Sequence, residues 1–269
     1  MRLRNRKDAK CAASWLGSAG LLTVLLGCLI VFIGCAMTPE KPPLTEAQKK
    51  AFLEANAILT ACTASDIEQV KALLAKNPAL VNARNDVGET PLWRAVVAVH
   101  PSEELVKLLL QRGAVVDPVM STGETPLHVA AGKGRKELVL ILLDHGANIN
   151  ARSRAGWTPL HFAAWTSRSE MADVLLAHGA EIDVFEAAAL GKTKTLEEFL
   201  RRDAKSVQAT DEKGLTPLHW AVLKYQAEAV RVLLAHKADP FAPGRTGFSP
   251  CSAARESKHA KIVEMMRCP

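Results

Sequence analysis

From about residue 45 onward, short blocks of apolar residues at helical spacing alternate with polar or glycine-containing turns. Stretches such as ELVLILL, EMADVLL and EAVRVLL place apolar side chains three and four positions apart, which is the spacing of one face of a helix. A pair of helices this short has too little partner surface to bury its own apolar face. The pattern therefore predicts helical pairs that bury these faces against neighbouring pairs.

The blocks repeat with a period of about 33 residues. The marker of each copy is Thr-Pro-Leu-His or a close variant, and the copies begin at Thr90, Thr125, Thr158, Thr216 and Ser249. The Thr or Ser is predicted to cap the following helix, and Pro fits the first turn because its missing N–H needs no partner there. A glycine two positions earlier predicts a tight turn before each helix.

One unit, 183–210, is shorter than the others and lacks the marker. Asp183 followed three positions later by Glu186 has the pattern of a capping box, so a new helix is predicted to begin there without a preceding turn. The row of turns, which we call fingers, should then have a gap bordered by Trp157 and Leu215. We interpret this gap either as a notch that receives a projecting loop of a partner or as a tolerated deletion.

The Gly-x-Thr-Pro-Leu-His motif at this period resembles the ankyrin repeat family, and the resemblance covers roughly residues 51–268. It implies an all-α fold, a solenoid of about seven stacked helix-turn-helix units over 45–269 with short β-hairpin fingers. It also implies that the motif histidines His128, His161 and His219 brace the neighbouring turns. The implied function is the binding of another protein on the concave side, which the fingers and the first helices form.

The resemblance assigns several aromatic, apolar and basic side chains to that concave side. Aromatic residues are favoured at the centres of protein interfaces, and this chain has only one Tyr and five Trp, so their positions are informative. The predicted partner-binding residues are Trp157, Trp165, Leu215, Leu223, Lys224, Tyr225 and Phe248.

No motif in the sequence indicates catalysis. The patterns H-E-x-x-H, G-x-S-x-G and C-x-x-C are absent, and Gly-Lys-Thr at 191–193 lacks the earlier glycine of a phosphate-binding loop. The histidines recur once per unit, as parts of the repeat rather than as converging ligands. We therefore predict no enzyme activity, no cofactor and no metal. Basic residues do not cluster in the repeats, which argues against nucleic acid as a partner.

Residues 1–34 have a different pattern, in which basic residues precede a long uncharged apolar stretch. This arrangement is typical of a signal peptide or a transmembrane anchor, and it carries most of the net charge of +6. Cys35, after Val-Phe-Ile-Gly, resembles the cysteine of a bacterial lipobox, whose thiol carries a lipid. Cys28 fits less well because apolar residues follow it.

Three alternatives stay open for this segment: a lipoprotein anchor, a transmembrane helix, or a cleaved signal that leaves a soluble protein. Residues 35–44 would form a proline-containing tether in the first two cases. All three alternatives place the repeats outside the cytoplasm, periplasmic or at the cell surface. Cys251 and Cys268 stand at the two ends of the last helical pair, where they are expected to form a disulfide or to remain buried free thiols.

Taken together, the sequence predicts a membrane-tethered ankyrin-repeat scaffold that binds another protein in the bacterial envelope. Two other functions are kept as alternatives. One is an inhibitor or immunity-like partner of a secreted enzyme, and the other is a structural spacer without a tight ligand.

Overall fold

The computed structural model describes residues 45–268, which fall almost entirely in one compact unit, Ala47–Pro269. The described residues contain fourteen α-helices and two short 3-10 helices, and no β-strand among them. From the second pair onward, an inner helix packs against the inner helices of neighbouring pairs, and several outer helices also contact one another. The architecture is the all-α repeat solenoid that the sequence predicts.

The helices form seven consecutive pairs, and each pair is one unit. The inner helices are α1 (Glu46–Thr63), α3 (Pro91–Val97), α5 (Pro126–Gly132), α7 (Pro159–Trp165), α9 (Val184–Ala189), α11 (Pro217–Leu223) and α13 (Pro250–Glu256). The outer helices are α2 (Ile67–Lys76), α4 (Glu103–Gln111), α6 (Lys136–Asp144), α8 (Ser169–Ala177), α10 (Thr193–Arg202), α12 (Ala227–Ala235) and α14 (Ala260–Met265). The 3-10 helices Pro78–Asn82 and Ala204–Gln208 follow α2 and α10.

The inner helices begin where the repeated motif predicts. Thr90 Oγ1 accepts the N–H of Trp93 at 3.2 Å, and Thr158 Oγ1 accepts the N–H of His161 at 3.3 Å. These side chains satisfy amide groups that have no partner within the first turn of a helix. A proline opens each of these helices without losing a hydrogen bond.

The fingers are tight turns, so the prediction of short β-hairpins is wrong for the described residues. In the finger of the fourth unit, Ser153 N donates to Trp157 O at 2.9 Å and Gly156 N donates to Ser153 O at 2.9 Å. A turn closed by so few backbone bonds is too short to form a ladder. Neighbouring fingers join by a single backbone bond, such as Arg154 N to Thr122 O at 3.0 Å. Gly123 permits this approach, because a Cβ there would lie 2.5 Å from Arg154 N.

The buried core is divided at the boundary between the fourth and fifth units. One cluster of buried side chains extends from Ile58 to Leu175, and another extends from Val184 to Met266. The partly buried Ile182 packs against both clusters. The boundary is also spanned by a third buried cluster, which contains Ala164 of α7 and Ala189 of α9, and by polar interactions.

A disulfide between Cys251 and Cys268 closes the last unit. Their Cα atoms are 5.8 Å apart, and the bond connects the first turn of α13 to the residues that follow α14. Of the two arrangements expected from the sequence, the structure has the disulfide. Cys62 is a free, buried cysteine, and burial raises the pKa of its thiol to about 12.

We predict that reduction of this disulfide destabilises the terminal unit by about 3 kcal/mol, because the bond closes a loop with a sequence separation of 17 residues. Chemical denaturation with and without a reductant measures the effect. The double variant Cys251→Ser, Cys268→Ser is the control. Its free energy of unfolding should equal that of the reduced wild type and should not change when the reductant is added. Equal stability of the oxidised and reduced wild type would contradict the prediction.

Candidate functional site

The boundary between the fourth and fifth units is held by a buried ionic network. We call this network the joint, and it consists of His161 on α7 with Asp183 and Glu186 at the start of α9. His161 Nε2 lies 3.2 Å from Asp183 Oδ2, and His161 Nδ1 lies 2.5 Å from Glu186 Oε1. The imidazole ring therefore stands between two carboxylates, one at each ring nitrogen.

The predicted capping box fixes the two carboxylates in this position. Asp183 Oδ1 accepts the N–H groups of Phe185 at 2.8 Å and Glu186 at 3.1 Å, and Glu186 Oε2 accepts the N–H of Asp183 at 2.7 Å. This confirms that Asp183 caps α9, which starts at Val184 without a finger before it. Each carboxylate thus uses one oxygen for the helix start and the other for His161.

The network changes the protonation of all three groups. Burial lowers the pKa of His161, but hydrogen bonds and charges from Asp183 and Glu186 outweigh this effect and raise it to about 9. Burial raises the pKa of Glu186 to about 7 against the opposing effect of His161. Burial would also raise the pKa of Asp183, yet its bonds to His161 and Glu186 hold it well below its usual range. His161 is therefore a cation at neutral pH.

The other motif histidines are neutral and bond to the next finger. His128 Nδ1 accepts the N–H of Thr125 at 3.1 Å, and Nε2 donates to Trp157 O at 2.9 Å. His219 makes the same contact with Phe248 O at 3.0 Å, and burial lowers the pKa of both rings. At His161 the next finger is missing, and the Asp183 carboxylate takes the place of its carbonyl oxygen. The expected bracing role is thus performed here by an ion pair.

The joint also has the residue types of a metal site, since ligand atoms of all three side chains lie within 4.8 Å of one another. A single ion needs its ligand atoms to converge, at about 2 Å from the metal and about 3 Å from each other. Here the two carboxylates face opposite nitrogens of one ring, and Nδ1 and Oε1 are 2.5 Å apart, which is a hydrogen-bond distance. The geometry fits a proton-mediated network better than a metal centre.

An aromatic cluster spans the gap left by the missing finger. The ring centroids of Trp157 and Trp220 are 5.7 Å apart, those of Trp165 and Trp220 are 5.1 Å apart, and those of Trp157 and Trp165 are 5.4 Å apart. Leu215 belongs to the same buried cluster. The predicted notch is therefore filled by side chains, because the fourth and sixth units touch across the short unit.

Trp220 is the largest residue of this cluster that the sequence analysis missed. It is fully buried, and its Nε1 donates to Asp211 Oδ2 at 3.0 Å. The sequence feature that could have indicated its role is its position directly after the motif residue His219, in the unit that follows the shortened one. A side chain as large as tryptophan there is suited to filling the space of an absent finger.

Two lysines lie against the tryptophans. Lys213 Nζ is 4.3 Å from the ring centroid of Trp157 and 4.6 Å from that of Trp165, at distances typical of cation–π contacts. Lys224 Nζ lies 4.9 Å from the Trp165 centroid and donates to Trp165 O. Lys224 was among the predicted residues, whereas Lys213, in a finger, was not.

The predicted partner-binding residues differ in exposure. Trp157 and Leu215 are buried in the aromatic cluster. Tyr225 is 60% exposed. The half-buried residues are Trp165, Leu223, Lys224 and Phe248. The structure brings Trp157, Trp165 and Leu215 together and places Lys224 beside them, while Phe248 lies in the next finger, where its carbonyl oxygen accepts His219.

Comparison with known proteins agrees with this geometry. A family model for ankyrin repeats in three copies matches residues 97–186 and 184–268, which is more than half of the chain. The chain belongs to the ankyrin repeat family. The structural inference from the Thr-Pro-Leu-His period is thereby confirmed.

Individual relatives match over shorter segments. An ankyrin repeat protein of Rickettsia bellii is 35% identical over 81 residues, which is 30% of this chain and 45% of the relative. A palmitoyltransferase of Schizosaccharomyces pombe is 41% identical over 23% of this chain and 10% of its own length. The 26S proteasome non-ATPase regulatory subunit 10 of Dictyostelium discoideum is 32% identical over 31% of this chain and 37% of its own length. The chain thus spans less than half the length of these relatives.

The predicted signal or anchor, with Cys28 and Cys35, lies outside the described residues. Within residues 45–268, no helix combines the length and the apolar composition needed to cross a membrane.

We predict that the joint makes stability depend on pH. The folded-state pKa of His161 lies above its ordinary value of about 6.5, so its contribution is complete at low pH and is lost as pH rises through about 9. The free energy of unfolding should fall by about 2–3 kcal/mol between pH 7 and pH 9.5, because one pKa unit corresponds to about 1.4 kcal/mol.

Urea unfolding at several pH values measures this dependence. His161→Gln should remove most of the fall, while the control His219→Gln should keep it, because His219 is neutral in the folded state at neutral pH. A wild-type stability that does not change over this pH interval, or an equal fall in His161→Gln, would rule out the protonated joint.

Proposed function

We propose that this ankyrin-repeat protein binds another protein through the face formed by its fingers and inner helices. The observation that carries the proposal is the surface at the fourth to sixth units, where Tyr225 is exposed and Trp165 and Leu223 are half-buried. Aromatic side chains with one open face are typical anchors in protein interfaces. The family resemblance supports the same conclusion, because function in such scaffolds depends on surface residues.

The proposal includes no catalytic role. In the described residues, the three titratable groups that come together in the joint are bonded to one another and to a helix start. The palmitoyltransferase relative shares only a short segment of its length with this chain. The proteasome relative is named as a regulatory, non-ATPase subunit, which is consistent with a binding role.

We also propose that the array is tethered to a bacterial membrane through the N-terminal segment, with a lipid on Cys35, and that it lies outside the cytoplasm. The basic residues, the apolar stretch and the cysteine after Gly34 support this arrangement. The Cys251–Cys268 disulfide supports an oxidising compartment. A tether of 35–44 would then keep the binding face near the membrane.

We expect the full chain, immobilised from detergent extract, to retain a protein partner from envelope extract through this face. The double variant Trp165→Ala, Tyr225→Ala should lose that partner, because it removes one half-buried and one exposed aromatic side chain from this face. Phe241→Ala is a matched control, since Phe241 is 52% exposed but is not among the predicted partner-binding residues. Thermal unfolding of each variant separates binding from folding.

The outcomes of this capture experiment distinguish the alternatives. A single protein held tightly in a one-to-one complex would favour the inhibitor or immunity-like function. If the wild type and the double variant retain the partner equally, the partner binds another surface of the array. An empty capture by folded wild-type protein would favour the structural spacer.

For the tether, we expect labelled palmitate fed to an expressing bacterium to be incorporated into the full chain. Cys35→Ala should lose the label, whereas Cys28→Ala, the matched control, should retain it. Fluorography of the purified chain gives the answer. If only Cys28→Ala loses the label, the lipid is attached to Cys28. An unlabelled wild type would contradict the lipoprotein proposal.

A further inference from the structure

The surface at the fourth to sixth units contains two ammonium groups without a carboxylate partner. In the part of the chain that the structure describes, the ion pairs formed by other lysines, such as Lys192 with Asp173, do not extend to Lys213 or Lys224. Lys213 contacts only the aromatic rings through its ammonium, and Lys224 contacts Trp165. Burial lowers the pKa of Lys224, because its ammonium is partly removed from water with no carboxylate beside it.

A buried donor in the same cluster also lacks an acceptor. Trp157 is 9% exposed, and its Nε1 is buried without a hydrogen-bond partner among the described residues. This nitrogen belongs to the ring against which Lys213 lies. An unsatisfied buried N–H is costly, and natural proteins leave few of them. The ammonium groups of Lys213 and Lys224 therefore lie beside a ring whose own N–H has no acceptor. A negatively charged acceptor would complement this cluster.

Three nearby carboxylates of the protein already have partners, and Glu212, next to Lys213 in the finger, forms no ion pair with either lysine among the described residues. Asp211 accepts Trp220 Nε1 and the backbone N–H groups of Lys213 and Leu215. Asp183 and Glu186 bond to His161 and to the start of α9. None of these groups forms an ion pair with the two lysines. A carboxylate of a partner would complement both ammonium groups.

We propose that this lysine–tryptophan patch, Trp157, Trp165, Lys213 and Lys224, binds an acidic side chain of a protein partner. The inference rests on the proposed function and names the chemistry of the partner: an Asp or Glu beside an apolar residue that covers Trp165. A basic partner segment is disfavoured because it would meet two ammonium groups.

The test uses the full chain and two blocked peptides of equal length, hexaglutamate and hexalysine. Indole N–H signals in two-dimensional ¹⁵N NMR spectra report binding. Hexaglutamate should shift the Trp157 and Trp165 signals in a salt-sensitive manner, while Trp220, bonded to Asp211, should move little. Hexalysine should shift none of them. Equal responses to both peptides, or none to hexaglutamate, would overturn the proposal.

Matched lysine variants identify the patch. Lys213→Gln and Lys224→Gln should each weaken hexaglutamate binding at least tenfold, while Lys205→Gln, on the 3-10 helix after α10, should change it less than twofold. Lys224→Arg should recover most of the binding, which excludes a folding defect from loss of the contact with Trp165. Unchanged affinity in Lys213→Gln would disprove the assignment, since its side chain has no hydrogen bond that the fold requires.

Two further outcomes separate this inference from the proposed function. If succinate binds as tightly as hexaglutamate, the patch is a site for small acids and the partner assignment fails. If a protein captured by the wild type is retained equally by Lys213→Gln and Lys224→Gln, the binding function stands and the acidic contact is wrong.

Discussion

The array depends on the contact of His161 with Asp183 and Glu186, because this is where its aliphatic core is divided. In a repeat protein, each unit is stabilised mainly by its neighbours, so one weak boundary lowers the cooperativity of the whole stack. At this boundary the chain has no finger to supply a carbonyl acceptor. A protonated imidazole between two carboxylates replaces it, with Glu186 only 1% exposed. Burial strengthens such a pair but makes the loss of any member costly.

The absence of one finger has a second structural consequence, which is direct contact between units that are not neighbours in sequence. Trp157 and Trp165 of the fourth unit pack on Trp220 of the sixth, and Lys224 reaches the end of α7. The shortened unit is thus spanned by aromatic contacts on one side and by the joint beneath them. A deletion in the repeat is compensated by larger side chains rather than by a change in the fold.

Much of the fold could be predicted from the sequence because it follows from local rules. Thr90, Thr158 and Thr216 cap helices through their own side chains, and Asp183 with Glu186 forms the capping box that its spacing indicates. The site was less predictable, since it depends on which side chains occupy the space of the absent finger. From its position in the repeat, Trp157 was expected at the exposed end of a finger. It is buried instead because it packs against Trp220, which lies 63 residues later in the chain. Similarly, the charge of His161 depends on a carboxylate replacing a carbonyl.

Trp157 connects the joint to the lysine–tryptophan patch. Its ring stacks on His161 with centroids 6.2 Å apart and an interplanar angle of 21°, and Lys213 lies near the same ring at 4.3 Å. One indole therefore contacts a buried imidazolium and a surface ammonium. The fourth and sixth units meet through this ring, and in the proposed complex a carboxylate beside Lys213 would lie close to the same ring. The proposed recognition surface and the divided core therefore share one side chain, Trp157.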